Sequence, residues 1–155
     1  MFLQTIVSAA LASTAAPATT TDKFGADMTA DDAVKCYSLH KFTLAQTQAD
    51  TDLFNRLALR STRWGIIVMG IFPQIDRANS ADMMNARIRL ADAEIELEML
   101  EAQRDAKRTG TKQMMFDEEF RNCDLLMANN ASLFTAVDDL IRAQMKNGAT
   151  SDAAE

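Results

Sequence analysis

The stretch Phe116–Met145, FDEEFRNCDLLMANNASLFTAVDDLIRAQM, decides how the chain reads. Its apolar positions are Phe116, Phe120, Cys123, Leu126, Met127, Phe134, Val137, Leu140, Ile141 and Met145. They recur three or four residues apart, the spacing that puts side chains on one face of a helix. Asp117, Glu118 and Glu119 stand at its start, where negative charge suits the helix dipole. Asn129-Asn130 interrupts the stripe and marks the place for a bend or break. Cys123 lies within the stripe, and the only other cysteine is Cys36. Joined, the two tie the last helix to the first and close the intervening chain into a loop.

Working outward, 155 residues fit one domain. Hydrophobic residues make up 48% and charged residues 25%, a globular balance that argues against disorder. Five Gly and two Pro are few, which favours long helices over a turn-rich β fold. The net charge of -6 disfavours contact with nucleic-acid phosphates and with anionic lipid.

Phe2–Ala16, FLQTIVSAALASTAA, is apolar, rich in small residues and free of charged side chains. Its apolar run has the length of a signal-peptide core and is too short to span a bilayer, which takes about 20 residues. We expect residues 1–18 to be a signal peptide cleaved near Ala18, at Ala16-Pro-Ala18, and the mature chain to be periplasmic or secreted. No Lys or Arg precedes the apolar run. In an exported chain two cysteines point to one disulfide, Cys36–Cys123; in a reducing compartment the same two residues would be buried thiols.

Residues 19–28 read as a polar linker. Thr29-x-x-Asp32 is a capping-box match that opens the first helix, which extends to about Gln48. Val34, Cys36, Tyr37, His40 and Leu44 share one of its faces. A second helix opens at Asp50 or Thr51 and carries Leu53, Leu57, Trp64, Val68 and Ile71 at helical spacing. Gly65 and Gly70 permit close approach of a neighbour, and Pro73 stops the element. Ser80 caps a long third helix, Ala81 to about Arg108, about 40 Å at 1.5 Å per residue. Its apolar seam is Met84, Ile88, Ala91, Ile95, Met99 and Ala102, and its other faces carry charge. Gly110 suits the left-handed residue after a helix end. The last helix ends at Gly148, and residues 149–155 form a tail. The expected fold is all-α: an antiparallel bundle of about four helices over residues 29–148, with one disulfide between the first and last mature helices.

Motifs for catalysis are missing. His40 is the only histidine, so Glu-x-x-His pairs and His-Glu-x-x-His are ruled out. Gly-rich phosphate loops and the Gly-x-Ser-x-Gly elbow are absent. Glu94, Glu96, Glu98 and Glu101 lie along one helix and read as a solvated face rather than as carboxylates across a cleft. No cofactor motif is present and no metal site is expected. Asn130-Ala131-Ser132 matches a glycosylation sequon.

The ten methionines stand out. Met83, Met84, Met114, Met115 and Phe134 are the expected partner-binding residues, because thioethers make a pliable apolar surface. The long helix or the segment Asn129–Met145 would carry that surface. The expected function is therefore non-enzymatic: a protein that binds another protein in the cell envelope. The alternatives are a small periplasmic stress chaperone and a methionine-based carrier of a metal or small ligand.

Three segments carry a resemblance: Asp31-Asp-Ala-Val-Lys-Cys36-Tyr37, the apolar Gly-containing Trp64–Phe72, and Arg121-Asn-Cys123-Asp-Leu-Leu126. Together with the leader, they resemble small exported two-cysteine all-helical bacterial proteins without an assigned activity. The resemblance implies a periplasmic helical protein and adds no reaction or ligand.

Overall fold

A computed structural model describes residues 28–75, 77–110 and 116–151. The expected signal peptide, nearly all of the linker, Met114 and Met115 lie outside them. Among the described residues the regular structure is all helical, with no strand. The helices are α1 (Ala30–Gln46), α2 (Asp52–Gly65), α3 (Phe72–Ile75), α4 (Ala81–Thr109), α5 (Asp117–Asn129) and α6 (Ala131–Ser151). A π-helical stretch, Ile66–Ile71, joins α2 to α3, and a 3₁₀ turn, Arg77–Asn79, precedes α4.

Local chemistry sets these boundaries. Thr29 and Asp32 form the capping box. The Thr29 hydroxyl accepts from the Asp32 amide at 3.1 Å, and the Asp32 carboxylate accepts from the Thr29 amide at 3.0 Å. Thr51 caps α2 and Ser80 caps α4 through their hydroxyls. Gly110 ends α4 at φ 71°, a conformation that costs a residue without a Cβ nothing.

Three boundaries differ from expectation. The last helix does not end at Gly148 but runs to Ser151, into the expected tail. The final stretch is two helices: the Asn130 side chain donates to the Leu126 carbonyl at 2.8 Å, competing with the helical ladder and turning the chain. Pro73 does not stop its element but follows the π-helical stretch into one more turn. A proline ring lacks a donor and crowds the carbonyl four residues back, and the wider π register accommodates both.

The centre of the molecule is α1, not the C-terminal stripe. Ala30, Ala33, Val34, Cys36, Ser38, Leu39 and His40 are all buried, so α1 is enclosed on most sides. It packs against α2, α4 and α5. Its pairings with α4 are Asp31–Arg87, Lys41–Asp92 and Gln46–Met99; the numbers rise together, so these two helices run parallel. Its pairings with α5 are Cys36–Cys123 and His40–Phe120, which run the opposite way. The disulfide pairs residues 87 apart in sequence whose Cα atoms lie 5.7 Å apart.

Gly65 brings α2 against α1. A Cβ there would lie 3.1 Å from Cε2 of Tyr37, tighter than an ordinary contact. Gly70 serves no such approach: the only atom near a Cβ there belongs to Ile66 of its own helix. Trp64, Ile67, Val68 and Phe72 complete the core from this side. From the C-terminal side come Cys123, Phe134 and Val137, whereas Leu140 and Met145 are exposed.

Among the described residues four ion pairs join different helices: Asp31–Arg87, already named, and three more. Lys41 reaches Asp92 at 2.6 Å, Arg60 reaches Asp124 at 2.8 Å, and Arg63 grips both carboxylate oxygens of Asp138 at 2.6 and 2.8 Å. The last is the strongest of the three, because a guanidinium fork matches a carboxylate geometrically.

Candidate protein-interaction surface

Helix α4 has 29 residues, about 43 Å, against 17 residues and about 25 Å for α1. It is held by one seam: Met84, Ile88, Ala91 and Ile95 are buried against the core, and Met99 lies against Gln46 at the end of α1. Residues 100–109 therefore continue past the end of α1.

A second apolar seam runs along the same helix. Met83, Ala86, Leu90, Ala93, Leu97 and Leu100 are all exposed to solvent. Fractional exposure is 48% for Met83, 63% for Leu90, 56% for Leu97 and 49% for Leu100. At about 100° per residue, this seam points about 180° away from the buried one. Charged residues border it: Arg87, Glu94 and Glu101 on one side, Arg89 and Glu96 on the other. Among the ion pairs of the described residues, Arg87 joins Asp31, while Arg89, Glu94 and Glu96 take part in none. The strip is thus continuous from Met83 to Leu100, apolar along its middle and charged along its borders.

At the end of α1, a groove of about 350 Å³ is lined by Phe42, Gln46, Met99, Gln103, Phe116 and Phe120. Phe116 has φ 66°, a left-handed conformation unusual for a bulky residue. A smaller cleft of about 180 Å³ lies over the disulfide, between Asp32, Lys35, Glu119 and Asn122. Neither brings together the nucleophile, base and oxyanion donors that a catalytic site needs.

His40 is fully buried one turn from the disulfide. Its Nδ1 lies 2.7 Å from the Cys36 carbonyl, so this nitrogen carries the proton and donates. Nε2 has no hydrogen-bond partner among the described residues, and Phe120 meets the ring edge-on at 5.1 Å. Burial lowers the pKa below the ordinary 6.5. The Cys36 carbonyl opposes that shift, Arg60 adds to it, and Asp124 again opposes it.

The expected partner-binding residues separate. Met83 opens the outer seam of α4. Met84, its neighbour, is fully buried on the opposite face. Phe134 is also buried, its ring 4.9 Å from Trp64 in an edge-to-face contact. Neither buried residue presents a surface in this fold. Met83 and Met84 diverge, so they form no paired thioether site. Leu90, Leu97 and Leu100 were missed in the sequence, although steps of three and four from Met83 mark them. The sequon asparagine is buried with its amide nitrogen engaged, so a glycan has no access to it.

Among the described residues, no group of three or more His, Cys, Asp or Glu side chains converges as a metal site, and no helix is long and apolar enough to cross a membrane. Compared with protein families, characterised proteins and solved structures, the chain matches none. What fold and surface define is an all-helical protein, cross-linked through its central helix, with one long helix apolar on two opposite faces.

Proposed function

We propose that this chain is an exported, non-enzymatic helical protein that works by binding another protein, with the outer face of α4 as its docking element. The observation that carries this reading is the exposed seam Met83–Leu100 on a helix already anchored by its other face. Anchoring fixes the helix before contact, which lowers the ordering cost of association. The disulfide supports export, because such links persist in oxidising compartments. We further read α1, α2, α4 and the α5–α6 segment as a helical bundle built around α1, mixed in direction, with α4 parallel to α1 and α5 antiparallel to it.

The test is a photo-crosslinking residue placed at Leu90 or Leu97 in producing cells, with Asn55 on α2 as the exposed control. Adducts at the α4 positions and none at Asn55 are expected. No adduct at either α4 position overturns the reading. Intact mass of the exported chain checks cleavage near Ala18.

One observation favours a second reading, the stress chaperone. A buried histidine with an unpartnered nitrogen resists protonation, so acid would loosen the core around His40 and expose its apolar residues. Suppression of client aggregation at low pH, absent at neutral pH, is the expected result; no protection at any pH removes this reading.

A further inference from the structure

We infer that the outer seam of α4 pairs with the same seam of a second copy, antiparallel, to make a two-fold symmetric dimer. This deepens the docking-face reading and rests on it.

The seam residues Met83, Ala86, Leu90, Ala93, Leu97 and Leu100 are separated by alternating steps of three and four. That is the a/d spacing of a two-helix seam. It is finite: the next two positions in the series are Arg104 and Lys107. A two-fold axis through its midpoint, between Ala91 and Asp92, lays the whole seam on its copy. Met83 then meets the partner's Leu100, Ala86 meets the partner's Leu97, and Leu90 meets the partner's Ala93. Two of these three layers set a large side chain against a small one, the interdigitation that lets helices approach closely.

The borders decide the occupant. In the same register Arg87 faces the partner's Glu94, and Arg89 faces the partner's Glu96. Symmetry doubles both, so opposite charges line each side of the seam and no like pair arises among them. Parallel pairing also sets Arg89 beside the partner's Glu94, but it sets Glu96 beside the partner's Glu101 and stacks Arg104 on the partner's Arg104, like charges that the antiparallel register avoids. The bordering Glu94, Glu96 and Glu101 also oppose an anionic lipid surface. The charge order along this helix is thus complementary to itself, reversed.

The rest of the molecule does not obstruct the pairing. The seam faces directly away from the core, so the two bodies lie on opposite sides of the joined α4 helices. Arg89 and Glu96 are uncommitted among the described ion pairs and available to the partner.

Sedimentation equilibrium of the oxidised protein, from low micromolar to sub-millimolar concentration, tests the inference. Twice the monomer mass is expected at the upper end. Leu90→Glu, on an exposed residue, leaves circular dichroism and melting of the monomer unchanged and abolishes the dimer. Arg89→Glu and Glu96→Arg each weaken dimerisation about tenfold, and the two together restore it. A wild-type protein that stays monomeric overturns the inference, as does a dimer that survives Leu90→Glu. Tightening by Glu96→Arg overturns the antiparallel register, because only parallel pairing gains from it. A monomer that still crosslinks from Leu90 to a different protein defeats the dimer and leaves the docking face standing; a monomer with no adduct defeats both.

Discussion

Cys36 and Cys123 join the central helix to the helix after α4, and 87 positions of sequence separate them. The link confines the unfolded chain to a large loop, which stabilises the fold by about 4–5 kcal/mol on loop-entropy arithmetic. Replacing both cysteines by serine is expected to lower unfolding free energy in urea by several kcal/mol, and reductant is expected to do the same to the native protein. A change under about 1 kcal/mol would show that the two helices meet at no entropic gain.

Stability is expected to fall as the medium turns acid, through His40. Its folded pKa lies below 6.5, so between the two values the unfolded chain binds more protons than the folded one. The contribution is therefore fully present above 6.5 and drains away as pH drops from there toward the folded value. Denaturation midpoints of the native protein and of His40→Met, measured across this window, are expected to differ in slope, with the variant flatter. Equal slopes refute it.

Arg63 and Asp138 hold α6 to α2 through a two-pronged contact that is only partly exposed. A double-mutant cycle with alanine at both positions is expected to give a coupling of about 1 kcal/mol, at the upper end for partly exposed pairs. A coupling indistinguishable from zero would mean solvent competes for both prongs.

Phe134 packs its ring against Trp64, the sole tryptophan. Phe134→Ala is expected to cost about 3 kcal/mol and to move tryptophan emission to longer wavelength as water reaches the indole. If emission stays fixed while stability drops, α6 closes over the gap by another route.

Much of this architecture was legible in the sequence because its signals are local. Thr29 with Asp32, Ser80 and Gly110 each act within one turn of the backbone, and each caps the helix it was expected to cap. The cysteine pair was legible for a different reason, since only two cysteines exist. The π-helical stretch was not: Pro73 announces a disturbance at its own position, while the register shift that absorbs it lies upstream among ordinary apolar residues. The central place of α1 was also hidden, because burial all around a helix depends on neighbours far along the chain. The outer seam of α4 was present but obscured. Arg87, Arg89, Glu94 and Glu96 are interleaved with Leu90, Ala93 and Leu97, and read as one charged face until the buried seam shows which way the helix turns.

The covalent ring made by Cys36 and Cys123 closes before Asn130 and leaves α6 outside it. A protease that nicks the chain anywhere within the ring leaves one molecule, its halves tethered until a reductant parts them. A nick beyond Cys123 leaves α6 with no covalent link, held only by side-chain contacts such as Arg63–Asp138 and Trp64–Phe134. The same polypeptide thus comprises a part that stays covalently joined after cleavage and a part that does not, and the border between them is Cys123.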